Sequence, residues 1–139
     1  MCIPRASGAE FDPDRFLEDS SFDLCKVYRR GEPRHPKTKP SGARYQTSGM
    51  NITVSDASWS ELSAQIVDAE RFFKTHNREI ERLASSPGVS DLTLDFPVEL
   101  RIGGDNIVAQ FESFPASLVR LAGALGVGLE LSIYPGSDR

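Results

Sequence analysis

Histidines, thiols and paired carboxylates are the raw material of most active sites, and in this 139-residue chain they are few and poorly spaced. His35 and His76 are the only histidines, and Cys2 and Cys25 the only thiols. No two of the four stand at metal-ligand spacing, so neither zinc nor any cofactor is expected. Ser41 and Ser48 adjoin glycines but lie outside any Gly-x-Ser-x-Gly elbow. Gly103-Gly104 and Gly126/Gly128 lack the lysine and the spacing of a phosphate-binding loop. Asp12 and Asp14 flank a proline, where carboxylates open a helix rather than share a proton. The expected class is a binding protein, not an enzyme.

Charge offers two binding surfaces. Asp91, Asp95 and Glu99 recur every fourth residue of one apolar-alternating run, about 13 Å apart at strand rise. With Asp105 and Glu112 across a hairpin they would form an acidic patch suited to a basic protein partner. The second surface is basic. Lys26, Arg29, Arg30, Arg34, Lys37, Lys39 and Arg44 face a single acid, Glu32, and are interleaved with Tyr28 and followed by Tyr45. That segment carries +6, leaving −10 on the rest of a chain whose total is −4. Such a loop suits a nucleic-acid backbone, and the acidic remainder counts against it, so nucleic-acid binding is the alternative reading.

The elements that must carry these residues follow from periodicity and punctuation. Asp12 and Pro13 open a short helix whose inner side is Phe16 and Leu17. Phe22, Leu24 and Val27 begin a strand. Residues 31–43, rich in proline and glycine, are expected to be an irregular loop. Tyr45 to Val54 is extended. Ser58 and Glu61 form a capping box for the longest helix, opened by Trp59 and faced by Leu62, Ile66, Ala69 and Phe73, with Phe72 widening the stripe. Thr75-His76-Asn77 favours a break before a second helical segment, Asn77 to Ala84.

Val89 to Ile102 alternates as a strand, placed at a sheet edge or bulge by Pro97. Gly103-Gly104-Asp105 turns it into an antiparallel partner over Ile107, Ala109 and Phe111. Ser113 and Pro115 start a helix that Gly126 ends, and Val127, Leu129, Leu131 and Ile133 alternate along the last strand. One α+β domain over residues 1–139, a mainly antiparallel sheet with helices on one face, buries every amphipathic surface. An edge strand there would serve a homodimer as well as a foreign partner.

No apolar run reaches the length of a membrane span, and MCIPRASGAEFD lacks the apolar stretch of a signal peptide. With two cysteines, Cys25 read as a small core residue and Cys2 as a free thiol, a cytoplasmic address is expected.

Three stretches resemble the bacterial family catalogued as domain of unknown function 4279. They are FDPDRFLE followed by a strand and the Arg30-Gly31-Glu32-Pro33 turn, the long helix with Trp59 before it, and the strand–helix–strand unit ending in LSIYP, Leu131 to Pro135. The resemblance implies a small cytoplasmic α+β protein of the immunity type, which binds and neutralises a cognate toxin; a basic toxin, for instance a nuclease, would suit the acidic patch.

Overall fold

The computed structural model describes residues 3–22 and 24–136. Among these, seven strands and four helices make an α+β fold. In chain order they are β1 (Ile3–Gly8), α1 (Pro13–Leu17), β2 (Leu24–Tyr28), β3 (Pro33–His35), β4 (Lys39–Arg44), β5 (Ser48–Ile52), α2 (Leu62–Thr75), α3 (Asn77–Ala84), β6 (Asp91–Glu99), α4 (Ala116–Ala124) and β7 (Gly128–Tyr134). Five strands form one sheet in the order β2-β5-β1-β6-β7. Every pairing in it is antiparallel except β6 with β7, which run parallel through the α4 crossover. β3 and β4 form a separate two-stranded ribbon.

Strand alternation decides which face is covered. Leu94, Phe96 and Val98 of β6, Met50 and Ile52 of β5 and Ala6 of β1 are buried on one side. Onto them pack Phe16 of α1, Ile66, Ala69 and Phe73 of α2, Ile80 and Leu83 of α3, and Leu118 and Ala122 of α4. The opposite face is polar, and Arg5 of β1 reaches diagonally over β6 to Glu130 of β7, with Nη2 at 2.9 Å from both carboxylate oxygens.

Local signals explain most helix ends. Asp12 caps α1 by accepting from the Arg15 N–H, with Pro13 at the first helical position. Gly126, at φ +74°, follows α4 in the left-handed conformation. The Val127 N–H then reaches back to the Ala122 carbonyl at 2.8 Å, closing the end that glycine favours. The break between α2 and α3 falls at His76, as the sequence leads one to expect. Two expected starts differ. α2 begins at Leu62, not at the capping box, and Trp59 lies in the preceding turn, where the Ser58 N–H and hydroxyl both contact the Glu61 carboxylate at 3.3 Å. α4 begins at Ala116 with Pro115 outside it and no cap from Ser113.

Three sheet expectations are corrected. β1 replaces the expected hairpin partner beside β6, so β6 is an interior strand, and the edges of the sheet are β2 and β7. Pro97 is tolerated there for a geometric reason. The Leu100 N–H points to the carbonyl of Tyr134 at the end of β7, and the Glu99 N–H points the other way, to the Trp59 carbonyl. Odd-numbered positions therefore face the β1 side, where the pairs among the described residues run as far as Asp95, opposite Ile3. Among the described residues, the missing donor of Pro97 costs no ladder bond. Residues 31–43, expected to be irregular, contain β3 and most of β4. The readings of Cys2 and of the Cys25 side chain fall outside the described residues.

Candidate functional site at the carboxyl ends of β6 and β7

After β6 the chain enters a loop, residues 100–115, that does what the expected hairpin would have done by different means. Asp105 and Asn106 both take positive φ, 48° and 64°, and the Ile107 N–H donates to the Gly104 carbonyl at 2.8 Å. This is a two-residue turn of the kind that closes hairpins. The ladder stops after one further bond, from the Gly103 N–H to the Ile107 carbonyl.

Beyond that point the Gln110 side chain substitutes for a strand. Its Oε1 accepts from the Arg101 N–H and its Nε2 donates to the Glu99 carbonyl, both at 2.9 Å. Arg101 and Glu112 add an ion pair at 2.9 Å. The loop is thus pinned at its base while two large apolar side chains point away from it: Val108 is 91% and Phe111 85% exposed. The expected strand over Ile107–Phe111 is absent, and so is the burial it would have given Phe111.

The neighbouring chain ends extend this surface. Trp59 stacks on Tyr134 at 4.7 Å between ring centres, and both rings are about two-fifths exposed. Trp59 is therefore a surface residue, contrary to its expected place in the core. It separates two shallow clefts, one of about 580 Å³ reaching Glu99 and Pro135, the other of about 440 Å³ reaching Arg101 and Glu112. Gln65 supports the ensemble from below: fully buried, its Nε2 donates to the Pro97 and Ser58 carbonyls at 2.9 and 3.1 Å.

The five acidic candidates are not all exposed together as one patch. Asp91 is exposed and accepts from the Thr93 hydroxyl. Asp95 shares the open sheet face with Asp91 and Glu99, yet it is only 8% exposed and accepts from the Ser132 hydroxyl at 2.6 Å. Glu99 is half-buried beside Gly136. Asp105 is exposed in the turn. Glu112 is nearly enclosed, held by Arg101 and the Gln110 amide. Strand periodicity gives the correct face for Asp95 but says nothing of Ser132, which a distant strand brings beside it.

The basic candidates divide in two. Arg29 grips Asp14 through Nε and Nη2 at 2.7 and 2.6 Å, and lies 3.7 Å from Glu32. The Arg29 guanidinium hydrogen-bonded to Asp14 holds that carboxyl below its usual range. Arg30 pairs with Glu10 at 3.4 Å. Lys26, Arg34, Lys37, Lys39 and Arg44 have no carboxylate partner among the described residues.

Among the described residues no group of three His, Cys, Asp or Glu side chains could hold a metal. His35 is exposed in β3, and His76 packs on the rings of Phe22 and Phe72. No described helix is long and apolar enough to cross a membrane. The chain matches no family model, no curated protein and no solved structure.

Proposed function

We propose that the chain is a non-catalytic protein-binding domain that engages its partner with the surface at the carboxyl ends of β6 and β7. The observation that carries this reading is the pair Val108 and Phe111, almost fully exposed on a loop whose base is fixed by Gln110 and by the Arg101–Glu112 ion pair. A rigidly displayed aromatic side chain loses little entropy on docking and fills a pocket on a partner, the property of an interface hot spot. The flanking clefts are shallow and the apolar groups project outward, which suits a macromolecule better than a small ligand.

The kind of partner follows from charge and from the sequence resemblance. Outside residues 26–44 the chain carries −10, and Asp91 and Asp105 remain on the surface, so a basic protein is attracted. A toxin, as the immunity-type resemblance implies, is such a partner, and the domain acts on it by occlusion.

Tagged protein from the native cell, treated with nuclease, should retain one stoichiometric polypeptide whose toxic activity it inhibits. Phe111→Asp should lose both retention and inhibition while the thermal midpoint moves by no more than a surface change allows, within about 0.5 kcal/mol. Equal retention and inhibition by wild type and Phe111→Asp would overturn the assignment.

A further inference from the structure

The ribbon of β3 and β4 belongs to neither the sheet nor the surface just described. Every residue of β4 is exposed, and β3 is covered only partly, at Pro33. Residues 33–44 contain Arg34, Lys37, Lys39 and Arg44, no acid and no large apolar side chain.

The base of the ribbon is built to hold this charge outward. Arg29 and Arg30, which follow β2 directly, are neutralised by Asp14, Glu32 and Glu10 and brace the root against α1 and the residues before it. Tyr28 stacks on Tyr45 at 4.6 Å, and Lys26 Nζ and Arg34 Cζ lie 5.2 and 5.6 Å from the Tyr45 ring centre. Gly49 makes room for the stack, since a Cβ there would collide with the Tyr28 ring. The root is anchored by ion pairs and the remaining cations are left unneutralised.

We propose that this ribbon is a nucleic-acid-binding arm that grips the phosphodiester backbone of a duplex without reading its sequence. A two-stranded ribbon fits a duplex groove. Its side chains offer charge and hydroxyls for phosphates and no apolar anchor for a protein pocket. The tyrosine faces are occupied by each other and by cations, which leaves no platform for stacking bases. This inference is independent of the protein-binding surface. β6 runs antiparallel to β2, so the arm leaves the sheet at the end opposite the carboxyl ends of β6 and β7 and at the opposite edge.

The test is fluorescence anisotropy of the full chain with a labelled duplex of roughly 20 base pairs, titrated between about 50 and 200 mM salt. Wild type should bind two unrelated sequences equally and weaken steeply with salt. Lys37→Glu with Lys39→Glu, at exposed positions, should bind at least about tenfold more weakly, with a log–log salt slope shallower by roughly 1.8, two phosphate contacts' worth. Lys37→Gln with Lys39→Gln should fall between them, and Phe111→Asp should bind as wild type does. Three results would each overturn the arm: no binding at the lowest salt, an unchanged affinity in the double charge reversal, or displacement of the duplex by polyglutamate as effective as by unlabelled DNA.

Discussion

Single side chains separate what is structural from what is free to act. Asp95 looks from its position like a solvent acid, but its 8% exposure and its bond from Ser132 make it part of the framework. Asp95→Lys should therefore cost roughly 2–4 kcal/mol, the penalty of burying an unmatched charge, whereas Asp95→Asn keeps an acceptor for Ser132 and should cost far less. Asp91→Lys, on the surface, should move the urea midpoint hardly at all.

Glu79 gives the molecule a pH dependence. Burial pushes its carboxyl up, but hydrogen bonds from the Ser21 hydroxyl and N–H and the Ser20 hydroxyl, with the charge of His76, outweigh this and hold it below the ordinary value of 4.5. A carboxyl whose folded pKa is depressed stabilises the fold above its unfolded value and loses that contribution as pH falls through the folded one. The thermal midpoint of wild type should thus fall toward that of Glu79→Gln as pH drops below about 4.5, the two staying well apart near neutrality. Asp12, Pro13 and Gly126 were legible in the sequence because a cap, a first-turn proline and a left-handed glycine act within a few residues. Asp95 and Trp59 were not, because Ser132 and Tyr134 lie far away along the chain.

At the scale of elements, the parts set by local periodicity agree with expectation and the parts set by pairing do not. The break at His76, α3, and the helix-to-strand unit of α4 and β7 carry their own signals. β1 does not: IPRASG holds a proline and a glycine and alternates poorly, yet it lies between β5 and β6. Its Pro4 sits one residue beyond the last β1·β5 pair, Arg5 with Asn51, and opposite Leu94 of β6. The alternation over Ile107–Phe111 has the period of a strand, but β1 holds the place in the ladder that it would have filled. What remains is a loop held at its base by the Gln110 amide and the Arg101–Glu112 ion pair. Gln110→Ala should speed hydrogen exchange across residues 100–112 and weaken partner binding, with a global unfolding free energy changed by no more than about 1 kcal/mol. Gly126→Ala should instead lower global stability by about 1 kcal/mol without touching the loop, since its φ of +74° disfavours any Cβ.

The whole molecule is polarised. An arm of unneutralised cations leaves one corner of the sheet, and a pinned apolar loop with the Trp59–Tyr134 stack occupies the diagonally opposite one. The fold class was readable because one α+β layer pair is the simplest way to bury the amphipathic faces, and the charge asymmetry was readable as a plain count. The location of the proposed surface was not, because it is assembled from the ends of β6 and β7 and the Trp59 turn, which only the folded sheet brings together. The most direct test of the protein-binding assignment is hydrogen–deuterium exchange on the full chain, free and bound to its copurified partner. Protection should appear in residues 100–112 and 128–134 and leave 33–44 unchanged. Protection confined to the ribbon or to the outer faces of the helices, with residues 100–112 exchanging as in the free protein, would contradict it.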